Sequence, residues 1–149
     1  MPRGTRARPE LPRALQLMQA LWALDHALNV RSRAMVRRLG ITGQQRLVIR
    51  LLGRFPGAAP GELARLLQLH PGTVTGLVKR LEARQLVARV PDPWDGHKTQ
   101  IKLTRKGAAL DEPREETVEA AVERALARVP RRSVDAAREL LAVLVEELD

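Results

Sequence analysis

Six residues between Thr73 and Arg84 have the types and spacing needed to bind a polyanion. On a helix, Thr73, Thr75, Gly76, Lys79, Arg80 and Arg84 fall on the outward side, while Val74, Leu77, Val78 and Leu81 turn inward at intervals of 3, 1 and 3. The small residues near the start permit close approach to a surface. The basic residues beyond them can reach phosphate oxygens or the edge of a guanine. A helix that enters a major groove needs this order, because its early side chains meet bases and its flanks meet backbone. An ordinary surface helix with a solvated basic face would look the same in isolation, so the elements around it decide the reading.

Those elements are ordered tightly between Pro60 and Leu103. Pro60 suits the first position of a short helix, since its φ is preset and its missing N–H needs no partner there. Leu63, Ala64, Leu66 and Leu67 give that helix an apolar side. The stretch Gln68-Leu69-His70-Pro71-Gly72 is a turn, and Pro71 opens the basic helix. Leu86 to Val90 reads as one strand and Thr99 to Leu103 as a second. Between them the turn-rich tip Pro91-Asp92-Pro93-Trp94-Asp95-Gly96-His97-Lys98 adds two more candidates for anion contact, His97 and Lys98. Helix, turn, helix and β-hairpin in this order predict a winged helix-turn-helix.

Upstream, Leu17, Leu21, Leu24 and Leu28 recur at helical spacing, with Leu15, Met18 and Trp22 widening the stripe. They predict a long helix from Leu11 to about Leu39, stopped at Gly40. So broad an apolar stripe calls for burial against a second copy of the chain. Thr42, with Gln45 three residues on, has capping-box spacing and opens the next helix. Downstream, Thr104 caps another helix. Pro113 must kink or divide it, and segments are expected near 104–111 and 113–128. Pro130 interrupts again, and Ser133 is expected to cap a last helix carrying Leu140, Leu141, Leu144 and Leu148 on one side. The fold class is therefore mainly α: a winged helix-turn-helix at 40–107, flanked by dimerisation helices at 10–39 and 108–149, with a basic flexible arm at 1–9.

Charge agrees with this layout. The net charge of +9 is unevenly spread: residues 1–39 carry 8 basic and 2 acidic side chains, and residues 40–107 carry 12 and 4. Residues 108–149 carry 6 and 11. A chain that lays one face on DNA needs such polarity. The absence of cysteine excludes disulfides and thiolate metal sites. His26, His70 and His97 are too scattered for metal-ligand spacing, and no nucleophile motif or phosphate loop is present, so no enzyme, metal or cofactor is expected. With no membrane span or signal peptide in sight, the protein is expected to be soluble and cytoplasmic.

The ensemble resembles the MarR (multiple antibiotic resistance regulator) family of transcription factors. The resemblance rests on Thr42-Gly43-Gln44-Gln45, Glu62-Leu63-Ala64, Pro71-Gly72-Thr73-Val74-Thr75 and Leu77-Val78-Lys79-Arg80-Leu81-Glu82, then Leu86-Val87, Asp92-Pro93-Trp94-Asp95 and Leu103-Thr104-Arg105-Lys106-Gly107. It implies a homodimer on a pseudo-palindromic double-stranded operator, with the 71–85 helix in the major groove and the wing in the minor groove. It also implies repression of nearby genes, released in many members by a small aromatic or anionic ligand. For such a ligand the resemblance points to Trp22, Asp25, His26, Arg46 and Arg50. Trp22 and His26, four apart, could stack on and hydrogen-bond an aromatic acid, or could serve dimer packing.

The wing departs from the family pattern. Where an Asp-x-x-Asp-x-Arg sequence usually supplies an arginine to the minor groove, this chain has His97 followed by Lys98. A neutral imidazole exploits the negative potential of a narrow minor groove less well than arginine. With an ordinary pKa of ~6.5, the wing is expected to contribute little near pH ~7.5 and more near pH ~6. Trp94 is read as a cover for the wing's base in preference to a base-stacking side chain. The missing arginine also keeps open a second reading, a protein-interaction module that retains the fold without specific DNA binding.

Overall fold

The computed structural model describes residues 10–149, so the arm expected at residues 1–9 lies outside the described residues. The chain runs through α1 (Arg13–Leu39), α2 (Gly43–Arg54), α3 (Pro60–Leu67), α4 (Pro71–Ala83), β1 (Val87–Pro91), β2 (Thr99–Leu103), α5 (Arg105–Ala108), α6 (Val118–Leu126) and α7 (Arg131–Leu148). This is a winged helix-turn-helix held between long terminal helices. Among the described residues no helix is long and apolar enough to cross a membrane.

Local chemistry sets most of the boundaries. Gly40 closes α1 in the left-handed conformation, φ 72°, and its N–H donates to the Val36 carbonyl. Thr42 accepts from the Gln45 amide while Gln45 Oε1 accepts from the Thr42 amide, so the capping box forms as read. Such a cap stabilises the helix start by ~1 kcal/mol. Pro60 and Pro71 each sit in the first turn of their helices. The α4 start has a further cap: His70 Nδ1 accepts from the Gly72 amide at 3.0 Å.

The core belongs to the middle of the chain. Val48, Ile49 and Leu52 of α2, Leu63 and Leu67 of α3, and Val74, Leu77, Val78 and Leu81 of α4 close on Leu86, Val87 and Ile101. Truncating one of them, Leu81→Ala for example, would cost about 2–5 kcal/mol through lost burial and the cavity left behind. The two strands are antiparallel, with Val87 opposite Leu103 and Pro91 opposite Thr99. Strand β1 therefore lies one residue later than the sequence reading placed it. Leu86 is buried before it, and its carbonyl accepts from the Thr104 amide. A third segment joins the sheet unannounced by the sequence: Ile101 donates its N–H to the Ala58 carbonyl at 3.0 Å. Gly107 lets α5 press on the start of β1, because a Cβ there would sit 1.9 Å from the Leu86 carbonyl oxygen.

The terminal helices behave differently. Helix α1 buries only Met35, and among the described residues α7 buries none. Several boundaries differ from expectation: α1 starts at Arg13 and not at Leu11, and α5 ends at Ala108 and not near 111. Helix α7 starts at Arg131 after Pro130, two residues ahead of Ser133. The second segment after Pro113 begins only at Val118, where Thr117 caps by accepting from the Ala120 amide. The stretch between α5 and α6 stays non-helical because distant arginines take its carbonyls. Arg31 donates to the carbonyls of Thr117 and Glu115, at 2.9 and 2.7 Å. Arg46 donates to those of Leu110 and Glu112, and Arg50 to that of Asp111. These side chains supply the backbone partners that helical geometry would otherwise provide.

Candidate nucleic-acid interface

Helix α4 turns its apolar side into the core, and the opposite side follows from the same periodicity. Thr73, Thr75, Lys79 and Arg80 are exposed, with Gly76 half-buried among them. The Thr75 hydroxyl donates to the Pro71 carbonyl, which fixes its rotamer at the start of the helix. Gly76 faces open space except for the Arg80 guanidinium, whose nearest nitrogen would lie 3.9 Å from a Cβ there. Arg80 thus lies along the outward face and can swing toward a base edge or a phosphate. Arg84 does not join this row. It ends α4 and its guanidinium folds over Gly40, close enough that a Cβ on Gly40 would come within 2.6 Å of Nη2.

The wing is held by its aspartates. Asp92 Oδ1 accepts from the amides of Trp94 and Asp95 at 2.8 and 3.1 Å, and Oδ2 accepts from the Gln100 side chain at 3.2 Å. Asp95 Oδ1 accepts from the His97 amide at 3.0 Å. The Trp94 amide above all holds the Asp92 carboxyl below the usual carboxylate range; partial burial opposes it, while the Asp95 amide, Gln100 and the Lys98 ammonium add to it. A lowered folded-state pKa means that this support is present above the ordinary carboxyl pKa and is lost as pH falls through the lowered value. His97 and Lys98 are both exposed at the tip. Trp94 corrects the sequence reading. It covers nothing: 95% of it is exposed. The Asp92 hydrogen bonds close a tight turn that leaves the indole outside.

Two residues at this face were not singled out from sequence. Arg89, on the face of β1 shared with Ile101, bonds Glu82 of α4 at 3.2 Å and lines a small cleft with Pro71 and Thr75. The alternation of the strand was its only signal. His70 was placed in the turn without a role; its position ahead of Pro71 is the signal for a cap.

The candidate ligand residues divide. Trp22, Asp25 and His26 line one open groove of about 540 Å³ with Asn29, Arg33 and Thr42. A neighbouring groove runs from Asp25 and Asn29 across Gln44 to Leu77 and Arg80 of α4. Arg46 and Arg50 lie elsewhere. Arg46 is 2% exposed, and both bond Glu119 at 3.1 Å as well as the linker carbonyls. They clamp α2 to α6 and the stretch before it, so both guanidiniums are already engaged by groups of the chain itself.

Known proteins agree with this geometry. The family model described as "MarR family" matches residues 39–96. An HTH-type transcriptional repressor of Mycobacterium tuberculosis is 31% identical over 109 residues, which cover 73% of this chain and 78% of that protein. The HTH-type transcriptional regulator TtmR of Methylorubrum extorquens is 37% identical over 95 residues, 64% of this chain; the match spans about half of that longer relative, 49%. In fold, the chain is similar to S. aureus MepR in its DNA complex, with a TM-score of 0.70 and 19% identity over 94% of this chain and 100% of that one. With the winged fold, the exposed helix row and these matches together, the chain belongs to the MarR family of winged helix-turn-helix transcriptional regulators.

Proposed function

We propose that this protein is a homodimeric repressor that reads a pseudo-palindromic operator with α4. The observation that carries the reading is the exposed row Thr73, Thr75, Lys79 and Arg80 on a helix whose other side is locked into the core. Rigid support from below and small residues at the approach are what base readout in a major groove demands. The second copy is called for by α1 and α7, which leave Leu15, Trp22, Leu24, Leu28, Leu140 and Leu141 exposed. Large apolar side chains exposed in such number on both terminal helices support an association site there. Two copies would present two α4 helices to successive turns of one face of the duplex, and two half-sites follow from that symmetry.

A small aromatic or anionic ligand would release the complex from the groove lined by Trp22, Asp25 and His26. The adjoining groove has Arg80 in its wall, so a molecule wedged there competes for a side chain that DNA needs. The test of the main reading is a gel-shift titration against the region upstream of the protein's own coding sequence at several salt concentrations. Log K is expected to fall with log salt by ~0.9 for each phosphate neutralised. Binding that ignores salt, or no binding, would leave a protein-interaction module with a basic face.

A further inference from the structure

The exposed indole at the wing tip has no internal partner, and the groove-entering arginine expected near it is absent. We propose that Trp94 is the side chain with which this wing enters the DNA minor groove, lying against an A·T-rich step on the outer flank of each half-site. This deepens the DNA-binding reading and rests on it. Four observations converge. Trp94 is 95% exposed, so its ring is free to be covered by a ligand. Its backbone is nevertheless fixed, because its own amide and that of Asp95 both donate to Asp92 Oδ1. Little ordering is left to be done when the tip docks.

The two neighbouring carboxylates are turned to the tip's own amides, Asp92 to Trp94 and Asp95, and Asp95 to His97. They meet an approaching phosphate already engaged. Finally, His97 and Lys98 stand exposed a few residues on, and the Lys98–Asp92 side of the wing faces Glu62 and Arg65 of α3 across a groove. The tip thus carries Lys98 beside the indole, on the side of the wing that faces α3. An indole suits the minor groove chemically. Its flat apolar face can wedge at a base step or lie on deoxyribose, and its N–H can donate to adenine N3 or thymine O2. An aromatic partner protein would meet the ring equally well, but not the flanking positive charge.

The test uses the full chain and a duplex that the protein itself recovers from a randomised pool. Affinity and hydroxyl-radical footprints are compared for the parent, Trp94→Ala and Trp94→Phe. Trp94→Ala is expected to bind about tenfold more weakly. It should lose protection of the outer minor grooves while the central protection from α4 persists. Trp94→Phe should keep most of both. Unchanged affinity and footprint in Trp94→Ala, with the parent binding normally, would overturn the inference alone and leave the indole to a protein partner. Weaker binding with the outer protection intact would overturn it too, since the ring would then act elsewhere. If the parent recovers no duplex, the DNA-binding reading falls and this inference with it.

Discussion

The DNA lobe and the helical frame around it are built on opposite terms. Between Ile41 and Ile101 the chain closes a core of its own, with Val48, Ile49, Leu63, Leu81 and Leu86 shielded from solvent. Helices α1 and α7 are as rich in leucine and valine, yet they bury one residue between them. Similar residues at similar spacing thus have different fates, depending on whether the chain itself supplies the opposite wall. The lobe is a finished domain. The frame is half of one, and its missing half is the second copy proposed above.

Breaking the frame while sparing the lobe should have the largest effect. Leu141 and Val145, one turn apart on α7, are 43% and 58% exposed. The double variant Leu141→Asp and Val145→Asp is expected to run as a monomer in size-exclusion chromatography with its helical content kept. Its operator affinity should fall on the order of a hundredfold or more as the second reading head is lost. A variant that stays dimeric would show that the frame associates through another surface.

The seam between the two regions comes next. Arg46 is buried and bonds carbonyls of Leu110 and Glu112 together with Glu119. Arg46→Met keeps the volume and removes every donor. A stability loss of about 3 kcal/mol is expected in denaturant titration, because the Leu110 and Glu112 carbonyls are left without that partner, while Glu119 keeps Arg50. Faster amide exchange should appear in residues 110–117. A loss below about 1 kcal/mol would mean that water replaces the guanidinium there.

Arg80→Ala touches the lobe alone. It should weaken operator binding by about 1–3 kcal/mol without changing stability, and less for duplexes altered at the base it reads. An equal loss on every sequence would assign Arg80 to the backbone. The smallest effect belongs to His97. His97→Gln leaves in place the backbone amide that Asp95 holds and should weaken operator binding by about 0.5 kcal/mol or less. A loss above about 1 kcal/mol would give the side chain a DNA contact of its own.

How much of this was legible in the sequence follows the same division. The lobe's helices announce themselves because their signals are local: the Thr42–Gln45 box, Pro60 and Pro71 at helix starts, Gly40 at a helix end. The outward row on α4 followed from periodicity alone. What sequence reasoning missed depends on long-range contacts. Arginines 31, 46 and 50 meet carbonyls more than sixty positions away, so the delay of α6 to Val118 had no local trace. The same distance hid that Arg46 and Arg50, read as ligand candidates, are engaged by the chain's own groups. Trp94 misled for the opposite reason: apolar character argued for burial, while the Asp92 turn exposed it. Arg84 followed the helical wheel of α4 to its C-cap position, where its guanidinium lies over Gly40.

The central claim is that two copies, joined through α1 and α7, place two α4 helices on one operator. The most direct measurement is the molar mass of the free protein and of its complex with a single recovered operator duplex, by analytical ultracentrifugation. The account predicts a free dimer that binds the duplex without dissociating, two protomers to each duplex. A free monomer that saturates the operator at one protomer per duplex would contradict it.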